Sequence, residues 1–145
     1  MSEEKRTDLE SLGEFGTIDL LTKNFLVTRE STAFAIGDDA AVLERNEEQY
    51  TLISTDMLVE GIHFNLMYVP FRHLGYKAVA VNLSDIAAMN GTPEQITVSI
   101  AVSNRFPLEA LEELDDGIRL ACQHYKVDLV GGDTTSSRSG LVISV

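Results

Sequence analysis

The stretch "QITVSIAVS" (95–103) alternates cleanly: Ile96, Val98, Ile100 and Val102 are apolar, with small or mildly polar residues between them. A period of two predicts a half-buried strand. "TAFAIG" predicts a strand ending at Gly37, "AVLER" resumes extended structure, and "RNEEQ" is a polar turn. "YTLISTDML" predicts one long strand. "VDLVGGD" predicts a strand running into a glycine turn, "SSRSG" a loop and "LVISV" a further strand.

Three stretches carry a helical period. Residues 14–25 place Phe15, Ile18, Leu21 and Phe25 near one face of a short helix. Residues 71–90 are apolar on most sides, with Leu74, Ala78, Val79, Val81, Leu83, Ile86, Ala87 and Met89, before "GTP" stops them. A helix of that kind is buried, between a sheet and another subunit or domain. Pro107 opens the third helix, where proline is tolerated, and Leu108, Leu111, Ile118, Cys122 and Tyr125 form its stripe. This order predicts an α/β (α+β) fold in which helices cover one face of a mixed β-sheet. Residues 1–12 are expected to be a flexible acidic leader and 13–145 one domain. The last strand stops short, so a C-terminal domain is expected to follow.

Composition adds a constraint. The 145 residues suffice for one domain with a real core. The opening "MSEEKRTDLE" is too charged for a signal peptide, and no apolar run approaches transmembrane length. A single cysteine, Cys122, excludes an internal disulfide and is compatible with a cytoplasmic setting; its place on a helical stripe makes it a core residue. The net charge of −12 repels nucleic acid and anionic membranes. It repels phosphorylated small molecules as well, unless cations stand between.

The acidic motifs give such cations a place. Asp38 and Asp39 follow the first strand, "STD" (Ser54, Thr55, Asp56) sits toward the end of the second, and Asp133 follows "LVGG". Asp85 lies in the buried helix three residues after Asn82, so the two point in similar directions. Strand ends and the turns after them often converge on one edge of a sheet, where sites form. Carboxylates with Ser and Thr hydroxyls and little positive charge suit magnesium, which keeps several waters and shares substrate phosphates. No Cys/His cluster suits zinc. Singly, each motif has a plainer explanation. "GDD" is a turn sequence, and "STD" caps or turns. Asp85 can pair with Lys77 or Arg72. "GGDTTSS" is a flexible turn or a backbone cradle for phosphate. His63 follows the "STD" strand, where substrate contact is plausible. His73 and His124 have no such context, and Asp115–Asp116 is a solvated helix face. Together the four acidic positions favour function.

"GEFG", "IGDDAAVL", "STDMLVEGIHF", "YKAVAVNLSDIAAMNGTP" and "LVGGDTT" occur in that order. The set resembles the N-terminal half of bacterial thiamine-monophosphate kinase, of the aminoimidazole ribonucleotide synthetase-like superfamily. The resemblance runs from about Gly13 to Val145. It implies magnesium-assisted transfer of the γ-phosphoryl of ATP onto thiamine monophosphate, without a phosphoenzyme. Asp39, Ser54, Thr55, Asp56, Asp85 and Asp133 correspond to metal ligands, Gly132 and Asp133 to part of the nucleotide site, and His63 to a thiamine-phosphate contact; Asp38 matches the motif without an assigned role. The resemblance also implies a homodimer across the sheet, where Thr97, Ser99 and Ala101 offer a small, mildly polar face. Two alternatives stay open: another ATP-using enzyme of the superfamily (selenophosphate synthetase or hydrogenase-maturation type), or a non-catalytic metal-binding dimerisation domain. The leader lacks the reactive cysteine that the first of these carries.

Overall fold

The computed structural model describes residues 11–145, so nearly all of the expected leader lies outside the described residues. The elements run α1 (Gly13–Thr22), β1 (Thr32–Phe34), β2 (Ala41–Asn46), β3 (Gln49–Ile53), β4 (Met57–Val59), α2 (Phe71–Ala88), β5 (Gln95–Val102), α3 (Leu108–Tyr125), β6 (Asp128–Ser136) and β7 (Leu141–Ser144). The fold is mixed α/β as expected, but the strands divide between two sheets. β1, β2 and β3 form an antiparallel meander, and the larger sheet has the order β4-β7-β5-β6. There β5 and β6 are parallel, while β7 runs antiparallel to β4 and β5. The parallel pair needs a crossover, and α3 provides it.

Helices cover one face of the larger sheet, as alternation in β5 requires. Ile96 is buried, and Val98, Ile100 and Val102 pack partly into the same core. α2 contributes Leu74, Ala78, Val79 and Leu83; α3 contributes Leu114, Ile118 and Ala121; β7 contributes Leu141 and Ile143. The opposite face is open: Thr97, Ser99 and all nine residues of the edge strand β6 are exposed.

Several expectations fail for identifiable reasons. "YTLISTDML" is two strands in different sheets. The chain leaves β3 at Ile53, and the Asp56 N–H donates to the Asn82 side chain (2.9 Å) and to the Val145 carbonyl (3.1 Å). Those bonds draw the next segment into the larger sheet. "TAFAIG" pairs only over Thr32–Phe34, because Gly37, at φ +134, turns the backbone through a region that suits glycine. No glycine turn ends the sixth strand: β6 continues to Ser136 in register with β5. Gly132 is there for space, since an added Cβ would lie 1.9 Å from the Val98 carbonyl oxygen.

The stripe of α3 is shifted from the expected one: Leu108 and Tyr125 are exposed, while Leu114, Gly117 and Ala121 are buried. Cys122 does pack against the core, and burial, with the Asp128 charge nearby, pushes its thiol pKa up. α1 buries nothing; Phe15, Ile18 and Leu21 are exposed, and Phe25 lies beyond its end. α2 stops at Ala88, where Asn90 takes the left-handed conformation (φ 57) and the Gly91 N–H reaches the Ile86 carbonyl at 2.8 Å. Only Leu74, Gly75, Ala78, Val79, Asn82 and Leu83 of α2 are fully buried, so it presents a stripe rather than an all-round apolar surface.

α2 and α3 approach closely because each carries a glycine at the crossing. A Cβ on Gly75 would lie 2.0 Å from the Leu114 carbonyl oxygen, and one on Gly117 would lie 1.9 Å from that of Arg72. Both neighbours are backbone and cannot swing away. Gly117→Ala should therefore destabilise the domain by about 2 kcal/mol or more, as overpacking does. Gly131→Ala, whose Cβ would meet only the Thr97 methyl at 3.7 Å, should leave stability nearly unchanged. Urea denaturation of the two variants checks the difference.

Candidate functional site

The acidic positions of the first half of the chain come together. Asp38, Asp39, Ser54, Thr55, Asp56 and Asp85 line one hollow of about 470 Å³, walled by the 35–41 bend, the link between β3 and β4, and α2. Hydrogen bonds place most of them. Asp38 accepts the Asp39 N–H at 3.0 Å, which shapes the bend, and Ala40 is buried behind it. Ser54 donates its hydroxyl to Asp85 Oδ2 at 2.9 Å. Asn82, one turn earlier on α2 and buried, accepts the Asp56 N–H while its amide donates to the Ala78 carbonyl at 2.9 Å.

Electrostatically the hollow is unbalanced. Burial pushes the Asp56 carboxyl above its ordinary range, and the neighbouring Asp85 charge adds to the rise, while His63 partly offsets it. Among the described residues Asp85 has no lysine or arginine partner, so the plainer explanation by pairing with Lys77 or Arg72 does not hold: Ser54 bonds it, and Lys77 donates instead to the His63 carbonyl at 3.0 Å. Among the described residues, no three His, Cys, Asp or Glu side chains stand together as a ready metal site. The donor set nevertheless fits a hard divalent cation shared with phosphate oxygens: carboxylates of which Asp56 and Asp85 repel each other, hydroxyls and, among the described residues, no basic side chain in the wall.

The family is decided by comparison. Residues 37–145 match the family AIR synthase related protein, N-terminal domain. The chain belongs to this family. Thiamine-monophosphate kinase of Bacillus subtilis (strain 168) is 37% identical over 134 residues, 92% of this chain and 41% of the relative. That of Aquifex aeolicus (strain VF5) is 39% identical over 129 residues, 89% of this chain and 40% of the relative. Among solved structures, AaThiL complexed with AMPPCP and TMP superimposes with a TM-score of 0.83 at 35% identity, covering 97% of this chain and 43% of that one. The chain thus spans about two fifths of the curated relatives' length.

In this AIR synthase related domain the remaining predicted residues lie elsewhere. Gly132 and Asp133 are on the exposed edge strand, paired with Val98 and Ser99, and do not line the hollow. His63 sits in the loop after β4; it does not line the hollow either, but lies close enough to influence Asp56. The sequence reading missed Glu14, whose position near the start of α1 places it in the hollow's wall. The "GEFG" motif was the available signal. It also missed Asn82 as the group that fixes Asp56; its spacing from Asp85 was noted, its acceptor role was not.

A raised carboxyl pKa has a defined sign in stability. The folded domain binds the Asp56 proton more tightly than the unfolded chain does. Its favourable contribution is therefore complete below the ordinary value of 3.8 and is lost as pH rises through the raised folded value. Asp56→Asn should raise the thermal midpoint of the metal-free domain at neutral pH and flatten this part of its pH dependence. Magnesium should raise the wild-type midpoint more than that of the variant. Parallel wild-type and variant curves, with and without magnesium, would contradict the assignment.

Proposed function

We propose that this chain is the N-terminal portion of a thiamine-monophosphate kinase, which transfers the γ-phosphoryl group of ATP to thiamine monophosphate. Residues 13–145 are its nucleotide- and metal-binding and dimerisation domain, and a C-terminal domain completes the site. The observation that carries this reading is the hollow that gathers Asp38, Asp39, Ser54, Thr55, Asp56 and Asp85, in a fold close to that of a protein complexed with AMPPCP and TMP. The names of the curated relatives support the same reaction.

In the proposed reaction, an oxygen of the acceptor phosphate forms the new P–O bond. The bridging P–O bond to the γ-phosphorus breaks, and ADP leaves with the electron pair. Such transfer is governed by positioning and charge neutralisation. The acceptor oxygen is already largely deprotonated near neutral pH, since a phosphate monoester's second pKa is about 6, so no general base is required. Magnesium, when bound, neutralises phosphate charge and holds donor and acceptor together. Asp39, Asp56 and Asp85 would hold it with Ser54 and Thr55. The Ser54–Asp85 bond orients the Ser54 and Asp85 oxygens before substrate arrives, and the Asn82–Asp56 bond fixes the backbone from which the Asp56 carboxylate projects. By resemblance, His63 contacts the thiamine-phosphate acceptor. Asp133 is retained as a metal ligand, and Gly132 with Asp133 as nucleotide contacts, by resemblance. The enzyme acts in the cytoplasm as a homodimer paired across the open face of the larger sheet.

In the complete enzyme, Asp85→Asn and Asp39→Asn should each lower magnesium-dependent turnover by about a hundredfold or more, the scale on which charge-stabilising groups act. Thiamine diphosphate formation from ATP and thiamine monophosphate measures it, and normal turnover in both variants would overturn the ligand assignment. His63→Ala should raise KM for thiamine monophosphate well above any change in KM for ATP. For the dimer, sedimentation across a dilution series should show dissociation on Ala101→Glu; a folded micromolar monomer in the wild type would contradict it.

A further inference from the structure

We propose that His63 meets the acceptor phosphate through a protonated Nε2, in a tautomer set by the free edge of β4; the inference rests on the kinase reading for the acceptor and on geometry for the tautomer. Among the described residues β4 ends the larger sheet, with only β7 beside it. Asp56 and Val145 exchange backbone bonds at 3.1 Å, and the Glu60 N–H reaches the Leu141 carbonyl at 3.0 Å. Backbone groups alternate in direction along a strand, so Val59, next to Glu60, turns its N–H and carbonyl away from β7. Groups of this kind on an open edge stay bare or invite another strand.

His63 takes both of them. The Val59 N–H donates to His63 Nδ1 at 3.0 Å, and the Val59 carbonyl accepts the His63 N–H at 2.9 Å and the Ile62 N–H at 3.1 Å. Gly61, at φ +83, makes the reversal that brings His63 back to Val59. Phe64, buried in the core, accepts the Gly61 N–H at 2.8 Å and closes the loop behind the ring. An Nδ1 that receives an N–H has no room for a proton of its own, which would set N–H against N–H. The ring proton therefore sits on Nε2. His63 is exposed, and among the described residues no hydrogen bond occupies that nitrogen. The ring also acts on the Asp56 carboxyl, which puts it beside the hollow. A fully ionised phosphate monoester offers only acceptor oxygens, so a bare ring nitrogen would repel it and an N–H binds it. The Val59 bond fixes the binding tautomer before the acceptor arrives, so no binding free energy is lost to moving a proton.

Long-range 1H–15N NMR of the 145-residue chain, at about pH 8, where imidazole carries a single proton, should show a protonated Nε2 and an unprotonated Nδ1 at His63. An ester in place of the Val59 amide deletes the N–H and keeps the side chain; it should let both tautomers appear. A protonated Nδ1 in the wild type, or unchanged ring 15N shifts in the folded ester, overturns the tautomer assignment. In the complete enzyme, His63→Asn keeps an acceptor for the Val59 N–H but offers no donor at the Nε2 position. It should raise KM for thiamine monophosphate about tenfold, the weight of one hydrogen bond to a charged group, with KM for ATP unchanged. His63→Gln, whose longer amide can place an N–H near that point, should raise it less. An acceptor KM for the Asn variant as low as that for the Gln variant, or an equal rise for both substrates, overturns the donor contact. A complete enzyme that leaves thiamine monophosphate unphosphorylated overturns the kinase reading, and the ring spectrum still decides the tautomer without turnover.

Discussion

The carboxamide of Asn82 is the interaction on which the arrangement of the domain turns. It is buried on α2, its amide satisfied by the Ala78 carbonyl, and its oxygen takes the Asp56 N–H as the chain crosses from one sheet to the other. One turn further along α2, Asp85 accepts the Ser54 hydroxyl on the same crossing segment. A buried amide is costly to leave unpaired. These bonds therefore tie the link between the two sheets to α2, and they bring Asp56 and Asp85 into the wall of one hollow. Fold and site share the same few atoms.

That sharing explains why an acidic protein tolerates such a cluster. Asp56 and Asp85 raise each other's energy when both are charged, and burial adds to the rise at Asp56. A divalent cation held there with phosphate oxygens would remove the repulsion, so the electrostatic strain at Asp56 is the counterpart of the proposed use. The net charge of −12 makes the same demand at long range: the nucleotide of the proposed reaction would have to reach this surface with its charge neutralised.

Much of this was legible in the sequence, and the failures have physical causes. The alternation of Ile96, Val98, Ile100 and Val102 marked β5 and its helix-covered face, and the acidic motifs other than that of Asp133 marked the hollow. The break of "YTLISTDML" was hidden because β-prone residues flank "STD" on both sides; the tertiary bond from Asn82 to Asp56 marks where the chain changes sheets. Gly131–Gly132 resembled a turn because glycine serves both freedom and close approach, and here Gly132 serves close approach to Val98. The stripe of α3 shifted because Gly117, invisible to a hydrophobicity count, is where the two helices touch. Lys77 looked like a partner for Asp85; its reach to the His63 carbonyl depends on a loop whose path the sequence pattern does not reveal.

The central claim is that the hollow recognises a phosphate chain only through divalent cations. Isothermal titration of the complete enzyme with AMPPCP tests it directly. The account predicts saturable heat with magnesium present and none with the metal chelated. Equal binding of the nucleotide under both conditions would contradict it.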